Sequence, residues 1–444
     1  MKIDEPKAKP ENEPDSRPKI TGEIEVSQKE IGEIKNISQY KKKIEGFLTA
    51  KVTELLEVIL GGAIALDSSD AHIEPEEEQA KLRLRIDGVL HDVMTFDLKV
   101  YKTVLSRIKL LSGVKLNITD RPQDGRFSIS TENLTIEIRV STLPAEEGES
   151  TVLRFLNPKS LIGIEGLGLR KDLADIFIKE IKKPNGMFIV TGPTGSGKTT
   201  TLYAILKKIN NPEIKVITIE DPVEYHMEGL SQTQVDPKKG YTFVNGLKSI
   251  MRQDPDVILV GEIRDLETAE IACQAALTGH LVFTTLHTND AAGAIARLTD
   301  LGVRPISIAP AINTVIAQRL VRKVCKNCAK HVVPSETELK KIKDGLKGVS
   351  KDVLPSAFSD SSFKIAKPVG CPECNSTGYR GRIGIFEAFL IDDEMERFIL
   401  KNPSVVDMKE SAIKKGMVLI KQDGLIKVIE GITTIEEVEK VVGE

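Results

Sequence analysis

The sequence predicts an α/β protein with a largely parallel sheet, preceded by a smaller α+β domain. A buried strand runs through a glycine-rich loop into a helix over "GMFIVTGPTGSGKTTTLYAILKKI". Further β-type runs follow at "KVITIED", "DVILVGEI" and "LVFTTLH", with helical stretches between them. This alternation is typical of parallel sheets. Upstream, "KLRLRIDGVLHDV" alternates apolar and polar residues around an Asp-Gly turn, which predicts a hairpin of a separate domain.

Length and composition allow two or three domains with real cores. The chain has 444 residues, of which 40% are hydrophobic. Its 62 basic and 65 acidic residues give a net charge of -3. This balance argues against a protein that mainly coats nucleic acid.

Composition also suggests the domain boundaries. Residues 1–44 begin with four prolines among mixed charges in the first 18 positions, which predicts a disordered charged arm. Residues 45–158 are predicted to form the α+β domain. Residues 159–444 are predicted to form the α/β domain, with a loop-like cysteine-bearing element at 325–374 and a helical C-terminal part.

No segment of the sequence resembles a signal peptide or a membrane span. The N-terminus is charged and proline-rich, without an apolar stretch. The most apolar run, Leu55 to Leu66, is too short and contains Glu57. We therefore expect a cytoplasmic protein that contacts membranes only peripherally, through partners.

The glycine-rich loop "GPTGSGKT" matches the G-x-x-x-x-G-K-[ST] pattern of phosphate loops in full. Its glycines allow backbone N–H groups to point at phosphate oxygens, and the following helix offers its positive N-terminus. Lys198 is predicted to reach the β- and γ-phosphates of ATP, and Thr199 to place its hydroxyl on Mg²⁺. The predicted nucleotide-binding residues are Gly192, Pro193, Thr194, Gly195, Ser196, Gly197, Lys198, Thr199 and Thr200.

Acidic residues end two of the predicted strands. "VITIEDPVEY" supplies Glu220, Asp221 and Glu224, and "DVILVGEIRD" supplies Glu262. Gly261 stands before Glu262 where an Asp is usual, so the metal-binding carboxylate could come from the other strand. Glu262 is then the candidate for orienting the attacking water. The alternative is that these strand-end acids are simply solvated.

Two histidines, His280 and His287, flank another predicted strand in "TGHLVFTTLHTND". A histidine is often only a structural hydrogen-bonding group, but these two could also sense the γ-phosphate or a subunit boundary.

Four of the five cysteines fall in two C-x-x-C pairs: Cys325, Cys328, Cys371 and Cys374. Four thiolates suit tetrahedral Zn²⁺, although the interval between the pairs is longer than in a compact zinc ribbon. A disulfide is disfavoured by the expected compartment. Cys273, in an alanine-rich helical stretch, reads as a small core residue.

Taken together and in order, these motifs resemble one family, the ATPases of type IV pilus assembly and type II secretion. The phosphate loop, "TIEDPVEY", "RQDPDVILVGEIRD" and "TGHLVFTTLHTND" resemble its Walker A, Asp, Walker B and His boxes. The resemblance extends upstream through "SSDAHIEP" and downstream through "GCPECNSTGYRGRIGIFE". The resemblance extends from about residue 45 to the end of the sequence. It implies a PAS-like domain followed by a RecA-like ATPase core.

The resemblance implies roles for individual residues. Glu262 matches the Walker B glutamate, Glu224 the functional acid of the Asp box, and His280 and His287 the His box. Arg139 and Arg154 of the upstream domain resemble arginines that family members bring to the γ-phosphate. We therefore expect Glu262, Glu224, Arg139, Arg154 and His287 to be catalytic. The family's assembly and secretion members also carry a tetracysteine zinc element, which retraction ATPases generally lack.

The family further implies a homohexamer docked on an inner-membrane platform protein, at the inner face of a bacterial cytoplasmic membrane. Family members often have a further N-terminal domain for docking or for binding cyclic di-GMP. Only about 40 residues precede the match here, so we expect no cyclic di-GMP site and a different recruitment route.

Several functions remain open from the sequence. The first is an ATP-hydrolysing motor for pilus assembly, and the second a type II secretion ATPase with the same chemistry. A DNA-translocating ATPase is disfavoured by the charge balance and the lack of an aromatic, basic groove. A scaffold that binds nucleotide without hydrolysis is disfavoured by the intact Lys198, Thr199 and Glu262.

Overall fold

The computed structural model describes residues 22–27, 32–132, 134–358 and 363–443. The chain divides into two compact units, Met1–Leu156 and Asn157–Glu444. This division lies two residues before the boundary expected from the sequence.

The first unit is built on a seven-stranded sheet in the order β1-β5-β6-β7-β2-β3-β4. The pair β1–β5 is parallel, and the other neighbours are antiparallel. The strands are β1 Glu23–Glu25, β2 Asp70–Pro75, β3 Gln79–Ile86, β4 Val89–Asp97, β5 Gln123–Thr131, β6 Leu134–Ala145 and β7 Gly148–Leu156. The helices are α1 Ile37–Glu45, α2 Val52–Ala65 and α3 Leu98–Leu111.

Alternating residues of this sheet build the first core. Phe127, Ile138 and Leu153 are buried together with Tyr40 and Ile59 from the helices. The predicted hairpin is confirmed as β3–β4, and its turn residues Asp87 and Gly88 both have positive φ. The likeness to a PAS domain stays a prediction.

Part of the predicted disordered arm is ordered, which corrects that expectation. Strand β1 pairs with β5, and Tyr40 and Ile44 of α1 are fully buried. The four prolines of the arm precede these segments, so averaging the composition over 1–44 hid the few apolar residues at its end that become buried. Residues 1–21 lie outside the described residues.

The second unit contains a seven-stranded sheet in the order β10-β9-β11-β12-β8-β13-β16. The neighbours from β10 to β13 are parallel, and β16 runs antiparallel to β13. Its strands are β8 Gly186–Thr191, β9 Val216–Glu220, β10 Ser231–Gln234, β11 Val257–Val260, β12 Leu281–Leu286, β13 Ile312–Val324 and β16 Tyr379–Leu390. A separate ribbon pairs β14 Lys330–Val332 with β15 Ile365–Lys367.

Helices cover both faces of this sheet, as the alternation of β8 demonstrates. Met187 and Ile189 belong to one core cluster, whereas Phe188 and Val190 belong to another. The helices are α4 Lys171–Glu180, α5 Lys198–Ile209, α6 Phe243–Ile250, α7 Leu266–Leu277, α8 Ala292–Asp300, α9 Pro305–Ile308, α10 Glu336–Gly345, α11 Asp393–Ile399, α12 Val405–Lys414, α13 Ile420–Ile429 and α14 Ile435–Val442. The predicted α/β class is therefore confirmed.

Candidate functional site

The glycine-rich loop connects β8 to α5, in the strand–loop–helix arrangement predicted for it. The strand ends at Thr191 and the helix begins at Lys198. Gly192, Gly195 and Gly197 have φ of 150°, 79° and 88°, a region that other residues rarely adopt. The loop therefore curls back over the N-terminus of α5, where anions bind favourably.

Close packing against β13 also requires two of these glycines. A Cβ added at Gly192 would lie 2.6 Å from the main-chain oxygen of Gln318. A Cβ at Gly197 would lie 2.8 Å from Gln318 Nε2. Gln318 is buried and accepts a hydrogen bond of 2.6 Å from Thr201 Oγ1 of α5. The phosphate-loop motif gives no sign of this support, because Gln318 is more than 100 positions away from the loop along the chain.

Lys198 folds back along the loop. Its Nζ donates to the main-chain oxygens of Gly192 at 2.8 Å and Pro193 at 3.2 Å. Burial lowers the pKa of Lys198, while the charge of Glu262 opposes that change. Ser196 Oγ is buried and has no hydrogen-bond partner within the described residues. A positive, concave loop with an unsatisfied hydroxyl fits a phosphate group.

Glu262 follows β11 and stands among charged neighbours. One carboxylate oxygen lies 2.5 Å from Arg264 Nη2, and the other lies 3.6 Å from His287 Nε2. Asp221, after β9, lies 4.0 Å from Arg264 Nη1. The carboxyl ends of β9, β11 and β12 thus bring one acidic or imidazole group each to the edge where the phosphate loop leaves β8.

The glycine before Glu262 has a packing reason. A Cβ at Gly261 would lie 3.3 Å from both Glu220 Cα and the main-chain oxygen of Ile219. Aspartate at this position would press on the neighbouring strand β9.

Glu220 is buried rather than solvated. It accepts hydrogen bonds from Tyr203 OH at 2.5 Å and Thr218 Oγ1 at 2.6 Å. Burial raises its pKa, although these hydrogen bonds oppose the rise. Glu224 is half-buried in the connection from β9 to β10, and its charge adds to the raised pKa of Glu220.

The two histidines lie at opposite ends of β12. His287 follows the strand at the carboxyl edge, whereas His280 precedes it, with Nδ1 3.0 Å from the main-chain oxygen of Ala275. A six-residue strand separates them by about 20 Å. The structure therefore brings His287, but not His280, to the edge where the phosphate loop leaves β8. Burial, and then the charge of Lys198, lower the pKa of His287.

The segment 287–291 then contacts three other strands of the sheet, β8, β13 and β16. Thr288 Oγ1 lies 2.7 Å from Thr191 Oγ1 of β8. The main-chain oxygen of Asn289 accepts from Arg319 Nη2 of β13 at 2.6 Å. Ala291 N donates to Glu387 Oε1 of β16 at 2.8 Å. These contacts hold the segment beside the phosphate loop.

Arg139 and Arg154 belong to the first unit, where they are direct cross-strand neighbours on β6 and β7. Arg154 Nε donates to Asp70 Oδ1 at 3.0 Å, and its side chain is 59% exposed. The same cross-strand row continues to Arg126 on β5 and, beyond Asp70, to Arg85 on β3. Arg154 and Arg85 both pair with Asp70, and Arg126 pairs with Glu137 at 3.7 Å, so the row and its acidic partners carry more positive than negative charge.

The four paired cysteines converge, with their sulfur atoms all within 4.8 Å of one another. Cys374 Sγ accepts hydrogen bonds from the N–H groups of Cys371 at 3.1 Å and Gly378 at 3.2 Å. Burial raises the pKa of Cys374, but these N–H groups outweigh it and lower the value to about 7. The cluster could hold a metal ion, because thiolates in this arrangement are typical of tetrahedral sites. Cys273 lies apart in α7, where burial raises its pKa to about 12.

Within the described residues, none of the helices has the length and apolar character needed to cross a membrane.

Comparison with known proteins places these features in a family. The family model described as "Type II/IV secretion system protein" matches residues 48–440. The chain is 44% identical over 386 residues to the type IV pilus assembly ATPase PilB of Thermus thermophilus, covering 87% of this chain and 42% of the relative. It is 43% identical over 411 residues to the type II secretion system ATPase E of Vibrio cholerae, covering 92% and 78%.

Solved structures agree with the fold. The pilus retraction motor PilT with bound ADP matches at a TM-score of 0.57 and 25% identity, covering 86% of this chain and 95% of that one. The ATPase DotB of Legionella pneumophila matches at a TM-score of 0.63 and 22% identity, covering 87% of this chain and 95% of that one.

The chain spans less than half the length of the Thermus relative, 42%, and 78% of the length of the Vibrio relative.

Proposed function

Because this chain belongs to the type II/IV secretion system protein family, we propose that it is an ATP-hydrolysing motor that drives type IV pilus assembly. The observation that carries the proposal is the convergence of Lys198, Glu262 and His287 at one edge of the parallel sheet. Relatives named as pilus assembly and secretion ATPases support the class of reaction.

The residues of the loop fit a nucleotide. Its backbone N–H groups and Ser196 Oγ would bind phosphate oxygens, and Lys198 would exchange its contacts with Gly192 and Pro193 for the β- and γ-phosphates. Mg²⁺, when bound, would neutralise developing charge on the phosphates. Thr199 would hold it through its hydroxyl.

Glu262 would orient the attacking water by accepting a hydrogen bond from it. The water oxygen would bond to the γ-phosphorus while the bond from that phosphorus to the bridging oxygen breaks, which releases ADP and inorganic phosphate; the phosphate keeps one proton of the water and the other passes to solvent. Lys198, and Arg139 and Arg154 if they reach this site in the assembly, would stabilise charge on the transferred group. Glu224 and His287 complete the proposed catalytic set.

We propose Zn²⁺ for the four cysteines. Four thiolates fill a tetrahedral shell and leave no open position, so the site would stabilise the fold rather than take part in hydrolysis. The N–H groups bound to Cys374 favour its thiolate form, as a zinc ligand requires.

The family supports further proposals about assembly. A homohexamer would act on an inner-membrane platform protein, at the inner face of the cytoplasmic membrane and without direct nucleic-acid binding. A function as a type II secretion ATPase remains a full alternative, because relatives of both kinds match at similar identity.

The test is ATP turnover by the purified chain across a range of protein concentrations, beside Lys198→Ala and Glu262→Gln. We expect turnover that rises with concentration, loss of ATP binding in Lys198→Ala, and retained binding without turnover in Glu262→Gln. Full turnover in both variants would refute the proposed site. Binding without turnover in the unmodified chain, persisting with the platform protein's cytoplasmic domain present, would refute the motor.

A further inference from the structure

Arg319 lies between two segments of the candidate site. It is half-buried on β13, two positions after Ala317, which pairs with Thr191 at the end of β8. Its Nη1 donates to the main-chain oxygen of Gln318 at 3.0 Å, and its Nη2 donates to that of Asn289 at 2.6 Å. One guanidinium therefore joins the strand behind the phosphate loop to the segment that follows β12.

Both ends of this bridge are fixed close to the reacting groups. The Gln318 oxygen lies against Gly192, where an added Cβ would approach it to 2.6 Å. Gly192 is also where Lys198 Nζ donates. At the other end, Asn289 is two residues after His287, which faces Glu262 at 3.6 Å.

We propose that Arg319 is a positioning residue for ATP hydrolysis, which holds segment 287–291 against the phosphate loop so that His287 stays beside Glu262. This inference rests on the proposed function of the site. It adds a residue from a strand to which the sequence motifs assign no role.

The chemistry of the side chain suits this function. A guanidinium is planar and presents its donors in a rigid fork, so it can bind two carbonyls at a set separation. A lysine ammonium carries the same charge but no such fork. The nearby acids Asp290 and Glu387 oppose the effect of burial, which lowers the pKa of Arg319.

Other contacts hold the two flanks of segment 287–291, whereas Arg319 contacts its middle. Thr288 is tied to Thr191, and Ala291 to Glu387, so both flanks of the segment are held by other strands. Asn289 lies between these two anchors and its side chain is exposed. Loss of the bridge would loosen the middle of the segment without unfolding the sheet.

The test compares Arg319→Lys and Arg319→Gln with the unmodified chain, with Arg397→Lys on an exposed face of α11 as the matched control. Hydrogen exchange of the amides at 288–291, ATP dissociation constants and kcat are measured on each. In both Arg319 variants we expect faster exchange of this segment, an ATP affinity within about threefold of the unmodified chain, and a kcat lowered by about a hundredfold. Arg397→Lys should match the unmodified chain.

Normal hydrogen exchange at 288–291 and a normal kcat in Arg319→Lys would overturn the bridge. A positive charge alone would then be enough to hold the segment. Unchanged exchange with ATP affinity lost in both variants would also overturn it, because Arg319 would then contact the nucleotide directly. If the unmodified chain stays inactive with the platform protein's cytoplasmic domain present, the proposed function fails, and unchanged exchange in both variants would separately refute the bridge. Arg319→Lys keeps the test valid if Arg319→Gln does not fold.

Discussion

His287 Nε2 lies 3.6 Å from Glu262 Oε2, although the two residues follow different strands and stand 25 positions apart. The distance is too long for a hydrogen bond, and the pKa of His287 is lowered by burial and by Lys198. The lowered pKa favours the neutral imidazole, so Glu262 Oε2 stays available to a water molecule while Oε1 pairs with Arg264.

This relationship predicts the pH dependence of turnover. As pH falls below the ordinary histidine value of about 6.5, a proton on His287 would engage Glu262 Oε2 in a second ion pair, beside the pair that Oε1 makes with Arg264, and slow hydrolysis. Because the pKa is lowered, this loss should begin at a more acidic pH than for a free histidine. We expect His287→Gln to lack this acid limb when kcat is measured from pH 5 to 8. The same fall of kcat at acid pH in both proteins would contradict the proposal that His287 causes it.

The arginine row of the first unit provides a second prediction. We expect Arg139→Ala and Arg154→Ala each to lower kcat by about a thousandfold while leaving ATP binding nearly unchanged, because such arginines stabilise charge that develops in the transition state. Arg121→Ala, at an exposed position of the same unit, serves as the control. A reduced ATP affinity with normal kcat would indicate ground-state binding instead.

The cysteine cluster predicts one bound zinc per chain. Cys371→Ser should lower the zinc content measured by mass spectrometry and destabilise the second unit by several kcal/mol, because ligand loss removes metal-coupled folding energy. Cys273→Ala should keep its zinc, since Cys273 lies outside the cluster. Full zinc content in Cys371→Ser would exclude the four-thiolate site.

A buried charge network predicts a stability effect away from the site. Asp423 is fully buried, lies 3.0 Å from Arg170 Nη1 and 2.8 Å from Lys427 Nζ, and accepts from the N–H of Phe386 at 2.7 Å. Asp423→Asn would leave the buried Lys427 without its counter-charge and Arg170 with only Asp172 as its acidic partner.

We therefore expect Asp423→Asn to lower the free energy of unfolding by about 3–5 kcal/mol in urea denaturation. The matched control is Asp344→Asn, because the Asp344–Lys347 pair is exposed and such pairs contribute less than about 1 kcal/mol. Equal effects in the two variants would refute the importance of the network.

Much of the fold could be predicted because its signals are local. The phosphate loop, the β3–β4 hairpin and the strand–helix alternation each occupy a short window in which spacing sets the backbone conformation. The helix and strand at the end of the N-terminal arm were missed, because their burial depends on Phe127 and other partners far along the chain.

The sequence by itself determined the chemistry that is available: the phosphate loop with Lys198, the strand-end acids and the two cysteine pairs. Only the tertiary structure decided which of these groups meet. The order of strands in the sheet differs from their order in the chain, so β12 lies between β8 and β11 and carries His287, but not His280, to the site. Arg319 and Glu387 join the site for the same reason, because contacts between distant strands depend on sheet order and leave no mark in local spacing.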